Sequence, residues 1–175
     1  MKIGKNVIID TDTVFKNKDH VKIGNNCAID KGFYSTTQVQ IGDYVHISPY
    51  VTCIGGSKAL FCAKGFNNIM AGARIICCSD RFDDSGLFGA MIPDEFKGRQ
   101  INRPVIMEKF SNIGTNCVVL PGSILREGVL LAAGSLLMGD TEPWGVYKGN
   151  PAKLVKKIDP SKILKNTARL EGQCG

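Results

Sequence analysis

Histidine is scarce in this chain, and several common sequence signals are missing. The 175 residues include two histidines, His20 and His46, and seven cysteines with no CxxC spacing. A zinc centre or a disulfide framework is therefore not predicted. No apolar run approaches the roughly 18 residues that cross a membrane, and the first residues, MKIGKNVIID, lack the parts of a secretory signal. We expect a cytoplasmic protein with no metal and no membrane insertion.

The charge balance is basic but does not point to nucleic acid. The formal net charge is +6 and the isoelectric point is about 9.0. The lysines concentrate toward the C-terminus without interleaved aromatic residues, so a small polyanion explains them as well as a nucleic acid does. With 43% hydrophobic residues, 175 residues suffice for one domain with its own core.

A repeat of six residues decides the fold class. Two series of apolar or small residues recur at this interval and return after residue 104. The first runs through Ile23, Ile29, Ser35, Ile41, Ile47 and Cys53, and the second through Val21, Cys27, Phe33, Val39, Val45 and Val51. Two inward residues separated by one outward residue describe a short strand, and glycine and asparagine between the strands suit tight turns. Three such strands make one triangular coil.

The repeat therefore predicts an all-β fold, a parallel β-helix of about six coils over residues 1–140. A β-sandwich also has short alternating strands, but it does not need a constant six-residue register. An external loop at about residues 78–104 interrupts the repeat, and a loop of this length is expected to be functional. Residues 141–175 are predicted to form an irregular basic segment and a short α-helix beginning near Ser161.

Several segments carry a family resemblance. The repeat, the stretches VVLPGS and LLAAGS at residues 118–123 and 130–135, and the tail WGVYKGNPAKLVKK resemble bacterial hexapeptide-repeat acetyltransferases, in particular the branch that acts on sugars and nucleotide sugars. The resemblance implies a left-handed β-helix and a homotrimer with acetyl-CoA bound in the groove between neighbouring subunits.

The same resemblance implies residues that contact the acyl donor. Thr115 matches the position whose backbone amide lies near the thioester oxygen, and Ala133 matches the position whose backbone pairs with the pantetheine amides. The residues matching the tail that approaches the nucleotide end of CoA are Lys148, Asn150, Pro151 and Lys153.

The proton acceptor is harder to assign. Many members of this family carry a catalytic histidine at the start of the long loop, where this chain reads Cys78-Ser79-Asp80-Arg81. His46 lies between the inward residues Val45 and Ile47, so alternation directs it outward. Its register position resembles one that contacts the acceptor in sugar-specific relatives, and we predict His46 as the catalytic base or an acceptor contact. His20 is expected to be structural.

Other polar residues are predicted around the acceptor. Asp80 is predicted as a second catalytic residue that orients His46 of a neighbouring subunit or binds the sugar. The predicted substrate-binding residues are Ser48, Tyr50, Arg81, Asp83 and Asp84. The residues that could form a basic groove for a nucleotide diphosphate are Arg81, Lys97, Arg99 and Arg103.

Three functions remain open from the sequence. The first is acetyl-CoA-dependent N-acetylation of a nucleotide-linked amino sugar for surface glycan or lipopolysaccharide synthesis. The second is O-acetylation of a sugar or polysaccharide hydroxyl by the same donor. The third is a non-catalytic β-helix scaffold, although a scaffold gives no reason for the GNPAK tail and the long loop. Zinc-binding relatives that resemble carbonic anhydrases need three histidines per site, which two distant histidines cannot supply.

Overall fold

Short parallel strands stack in register along residues 1–137, and each contains an inward residue of the six-residue repeat. The computed structural model describes residues 1–173, so Cys174 lies outside the described residues. In β4 (Val21–Ile23) both valine and isoleucine are buried while Lys22 is exposed, as alternation along a strand requires. The same pattern recurs coil after coil.

The strands form three parallel sheets, which are the three faces of a β-helix. Sheet 1 contains β1 (Lys2–Ile3), β4 (Val21–Ile23), β7 (Gln38–Ile41), β10 (Leu60–Ala63), β15 (Val105–Met107) and β18 (Ile124–Leu125). Sheet 2 contains β2 (Val7–Ile9), β5 (Cys27–Ile29), β8 (His46–Ile47), β11 (Asn68–Ile69), β16 (Asn112–Ile113), β19 (Leu130–Leu131), β21 (Gly145–Gly149) and β22 (Ala152–Lys157). Sheet 3 contains β3 (Val14–Phe15), β6 (Tyr34–Ser35), β9 (Thr52–Ile54), β12 (Arg74–Ile76), β17 (Val118–Val119) and β20 (Leu136–Leu137).

The core is the inside of this triangular coil. The side chains of Phe33, Phe61, Ile69, Met107 and Leu131 are fully buried, and all come from the inward series. The prediction of a left-handed parallel β-helix of about six coils, with an external loop and a C-terminal helix, is confirmed. Hydrophobic burial of one continuous column therefore holds the coils together.

The external loop leaves the corner between sheets 3 and 1 and has structure of its own. β13 (Cys78–Asp80) and β14 (Gln100–Asn102) pair antiparallel at its base, and a 3-10 turn spans Asp94–Phe96. Large apolar side chains of the loop face solvent, among them Phe82 at 83% and Met91 at 94% exposure. The loop therefore carries exposed apolar side chains on the outside of the β-helix.

The segment after β20 differs from the expected irregular chain. β21 and β22 form an antiparallel hairpin, and β21 adds in parallel to β19, which extends sheet 2 by two strands. Helix α1 spans Ser161–Gln173. The Asp159 carboxylate accepts hydrogen bonds from the backbone and hydroxyl of Ser161, which lowers the pKa of Asp159. The Asp159 side chain therefore satisfies the first backbone amide of the helix. Within residues 1–173, no helix has the length and apolar character needed to span a membrane.

An aromatic column runs along the corner between sheets 1 and 2. It consists of Tyr44, Phe66, Phe110 and Trp144, which all have left-handed backbone conformations with φ between 53° and 64°. Successive ring centroids are 4.8, 5.2 and 6.0 Å apart. A Cβ at Gly128 would overlap the Trp144 ring, so glycine there lets the tryptophan reach the column. Non-glycine residues rarely adopt such φ values because the backbone is sterically strained there, and stacking of the rings offsets this strain.

Candidate active site

His46 projects outward from the middle of sheet 2, as predicted. Its neighbours Val45 and Ile47 are buried, whereas the imidazole side chain is 46% exposed. On the same outer face, its partners in the adjacent coils are Ala28 and Asn68. A small residue on one side and an amide on the other leave the ring room to meet a ligand.

Asp30 pairs with His46, a contact that the sequence analysis missed. The distance between His46 Nε2 and Asp30 Oδ2 is 2.8 Å. Because a carboxylate only accepts hydrogen bonds, the pair favours the tautomer with the proton on Nε2 and leaves the Nδ1 lone pair to accept a proton. The sequence does contain a signal, since Asp30 follows the inward residue Ile29 one coil below His46.

Two surface cavities adjoin this pair. The first, which we call the histidine cavity, has a volume of about 340 Å³ and includes Asn26, Ala28, Tyr44 and His46 in its lining. The second has a volume of about 520 Å³ and lies between sheet 2 and helix α1. His46 and the amides of Asn68, Asn112 and Asn166 line this second cavity. The imidazole therefore stands at the junction of two spaces lined by polar groups that could bind a sugar.

Ser48 and Tyr50 lie at the corner between sheets 2 and 3, directly after β8. The Ser48 backbone amide donates to the Ile69 carbonyl oxygen at 2.9 Å. The Tyr50 ring packs over Gly32, where an added Cβ would lie 2.6 Å from the ring. The ring is still 58% exposed. Both predicted acceptor contacts are thus close in the chain to His46, and Tyr50 faces the coil below.

The residues predicted to contact the acyl donor gather on the upper part of the same corner. Thr115 and Ala133 are exposed in successive coils, where the Gly134 amide donates to the Thr115 carbonyl oxygen at 2.8 Å. The next layer is the turn between β21 and β22, which carries Asn150 and a cis-Pro151. Lys148 and Lys153 face each other across that hairpin. We call this edge the donor corner, defined by Thr115, Ala133 and Asn150.

The predicted loop residues lie elsewhere on the chain. Asp80 belongs to the hairpin that leaves the corner between sheets 3 and 1, where its Oδ1 accepts a hydrogen bond from Gln100 Nε2 at 2.9 Å. His46 lies on sheet 2, a different face. A single chain therefore does not bring Asp80 and His46 together, and the two could meet only across a contact between subunits.

Most charged residues of the loop bind one another. The Asp83 carboxylate contacts Arg81 at 3.1 Å and Arg99 at 3.0 Å, and Lys97 Nζ lies 2.7 Å from Asp94. A hydrogen bond from the Ser85 hydroxyl, together with the two guanidinium groups, lowers the pKa of Asp83. Asp84 is exposed. Asp83, Arg81 and Arg99 thus hold the loop in shape within this chain.

Comparisons with known proteins identify the family. No family model matches the chain. The dTDP-4-amino-4,6-dideoxy-D-glucose acyltransferase of Escherichia coli is 30% identical over 158 residues, which cover 89% of this chain and 81% of the relative. The chain belongs to the hexapeptide-repeat acyltransferases. It is therefore an enzyme, and the scaffold alternative is set aside.

Solved structures agree with this membership. AntD, an N-acyltransferase from Bacillus cereus in complex with dTDP and 3-hydroxybutyryl-CoA, superposes with a TM-score of 0.90 at 28% identity, covering 98% of this chain and 90% of AntD. A variant of AntD in complex with dTDP-4-amino-4,6-dideoxyglucose and coenzyme A superposes equally well, with a TM-score of 0.90. WbbJ of Escherichia coli K12, named for O-acetyl transfer in lipopolysaccharide biosynthesis, is 29% identical over 126 residues, covering 72% of this chain and 61% of WbbJ.

Proposed function

We propose that this enzyme transfers an acyl group from a CoA thioester to the amino group of a dTDP-linked amino sugar. The observation that carries the proposal is the agreement, along most of the chain, with the dTDP-4-amino-4,6-dideoxy-D-glucose acyltransferase of Escherichia coli and with the N-acyltransferase AntD. Acetyl-CoA is the donor we expect, and 3-hydroxybutyryl-CoA, present in the AntD complex, is the one to compare with it.

The reaction needs an acceptor for one proton. The amine nitrogen attacks the thioester carbonyl, a C–N bond forms, the C–S bond breaks, and the nitrogen loses a proton while the CoA sulfur gains one. His46 Nδ1 accepts the amine proton in this proposal, and Asp30 holds the ring through Nε2. His46 thus serves as general base, with Asp30 as its positioning residue.

The donor corner suits an extended pantetheine arm. Thr115 and Ala133 are exposed at successive coils, and backbone amides and carbonyls at such an edge can pair with the pantetheine amides as a further strand would. Lys148 and Lys153 bring two ammonium groups to the end of that edge, where phosphates of CoA would be stabilised.

We propose a homotrimer in which the loop of one subunit completes the site of the next. Two observations support it: the loop exposes large apolar side chains, and Asp80 lies on a different face from His46. A trimer would elute with about three times the chain mass of 18.9 kDa in light scattering. A monomer would contradict the proposal.

Mixing variants tests the shared site. His46→Asn and Asp80→Asn subunits, each weakly active alone, should regain about one quarter of wild-type activity when assembled together, because random mixing restores that fraction of the contacts between subunits. If both residues acted within one subunit, each chain would carry a lesion and mixing would restore nothing. Subunits refolded separately and then combined give the matched control.

The reaction itself is tested with free thiol release. We expect release from acetyl-CoA with dTDP-4-amino-4,6-dideoxyglucose, and an amide product by mass spectrometry. dTDP-glucose has a hydroxyl in place of the amine and is the matched control, for which no release is expected. Release with dTDP-glucose or a polysaccharide alone would favour O-acetylation, the second candidate, which the similarity to WbbJ supports. A role in lipopolysaccharide synthesis is proposed on the same basis.

A further inference from the structure

A third cavity lies at the corner between sheets 1 and 2, around the edge of sheet 2 from the histidine cavity. Its volume is about 580 Å³, within the range of small-molecule sites. Lys5, Lys64 and Lys109, from three different coils, line it together with the amides of Asn25 and Asn26. We call it the lysine cavity.

The charges in the lysine cavity favour an anion. The ammonium groups of Lys5, Lys64 and Lys109 share the lining with the carboxylates of Asp43 and Glu171, and Lys64 Nζ also lies 3.5 Å from the Glu108 carboxylate. Asp43 Oδ1 already accepts the backbone amide of Asn25 at 2.6 Å, so that carboxylate is engaged in the corner. Within residues 1–173 Lys5 and Lys109 form no ion pair, so their ammonium groups can attract phosphate groups in this concave site.

The aromatic column provides a surface for a base. Tyr44 and Phe66, the lower two rings of the column, line the lysine cavity, and Lys109 Nζ lies 6.0 Å from the Phe66 ring centroid. Below Tyr44 the same corner position is held by Asn26, whose amide oxygen accepts a hydrogen bond from Asn6 at 2.8 Å. A planar base can therefore contact an aromatic ring and meet amide groups at its edge.

Tyr44 also connects this cavity with the catalytic residues. It lines both the lysine cavity and the histidine cavity, so the two spaces meet at its side chain. The donor corner lies at the opposite edge of sheet 2. A ligand that crosses Tyr44 from the lysines would reach His46 and then the position of the thioester.

We infer that the lysine cavity binds the nucleoside diphosphate of the acceptor, with the sugar passing Tyr44 to reach His46. This inference rests on the proposed function. The base lies against Tyr44 and Phe66, the diphosphate faces the lysines, and the sugar occupies the histidine cavity.

Direct binding of dTDP by isothermal titration calorimetry tests the inference. Tyr44→Asn should weaken dTDP binding by about tenfold or more through loss of stacking, while binding of inorganic pyrophosphate should stay unchanged. Asparagine suits this position, because Asn26 adopts a similar φ of 56° one coil below. The double variant Lys5→Met, Lys109→Met should weaken both ligands by about tenfold or more and reduce the salt dependence of binding.

Two control variants isolate the cavity. Phe110→Asn removes a ring of the same column outside the lysine cavity, and Lys18→Met removes a lysine at the corner between sheets 3 and 1. Both should keep the wild-type Kd for dTDP. Unchanged CoA affinity in all variants would show that the β-helix is intact.

The outcomes separate this inference from the proposed function. Wild-type dTDP affinity in the Tyr44 and lysine variants would overturn the site, while thiol release with the dTDP-amino sugar would leave the reaction standing. Absence of dTDP binding to the wild-type protein, together with absence of thiol release, would overturn both.

Discussion

Replacing Asp30 by Asn tests whether a carboxylate positions the catalytic histidine. Asp30 Oδ2 and His46 Nε2 are 2.8 Å apart, and both side chains are partly exposed, at 37% and 46%. The variant keeps a hydrogen-bond acceptor of the same shape but removes its charge. If Asp30 acts through His46, activity should fall without loss of the fold.

The size of the effect follows from the hydrogen bond. A bond to a charged group contributes about 1.5–3 kcal/mol and a neutral one about 0.5–1.5 kcal/mol, so exchanging one for the other costs about 1–1.5 kcal/mol. We therefore expect kcat/KM of Asp30→Asn to fall about five- to tenfold. His46→Asn removes the base itself and should lower kcat by about two to four powers of ten.

The two changes together give the decisive measurement. The double variant should be no slower than His46→Asn alone, because Asp30 has nothing left to position. Thiol release from acetyl-CoA with the dTDP-amino sugar provides the rates. Imidazole added to a His46→Gly variant should restore part of the activity, which a purely structural role would not allow.

Matched controls come from the neighbouring coil and the other histidine. Asp10 holds the equivalent corner position one coil below Asp30, where its Oδ1 accepts the Asp12 amide, and Asp10→Asn should keep wild-type kcat/KM. His20→Asn, in the 3-10 turn Lys18–His20, should do the same. Fully additive losses in the double variant, or an Asp30→Asn enzyme as fast as wild type, would refute the reasoning.

Three further predictions concern stability. Gly128 has a φ of 67°, and Gly128→Ala would place a methyl group against the Trp144 ring. The variant should lower the free energy of unfolding in urea by about 2–4 kcal/mol. An unfolding midpoint equal to that of wild type would contradict the packing of the column. The Asn67 side-chain amide donates to the Glu108 and Ser111 carbonyl oxygens and accepts from the Gly65 backbone amide. Asn67→Ala removes these hydrogen bonds and should lower the free energy of unfolding in urea by about 2–4 kcal/mol. Arg126 lowers the pKa of Asp140, chiefly by a hydrogen bond. This depressed pKa stabilises the fold above pH 3.8, the ordinary aspartate value, and the contribution is lost as the pH falls through the lower folded value. Arg126→Met should therefore unfold at a lower temperature than wild type at pH 7, and the difference should shrink as the pH falls below 3.8.

Several contacts of the candidate site join residues from different coils. The pair of Asp30 and His46 is separated by 16 residues and forms because β5 and β8 stack. Asn68 pairs with Asn112 on the same face only because the chain between them leaves as a loop and returns in register. The repeat places Asp30 one coil below His46, but it does not place Asn68 beside Asn112, since the length of an interruption does not say where the chain rejoins the stack.

The sequence by itself determined which side chains point inward and which point outward. A strand alternates its side chains, so the six-residue repeat was enough to predict the β-helix, the outward direction of His46 and the position of the loop. The tertiary structure decided which outward groups meet: Asp30 with His46, the rings of the aromatic column, and the hairpin of β21 and β22 with sheet 2. Alternation is a local property of each strand, whereas these contacts depend on how the coils stack.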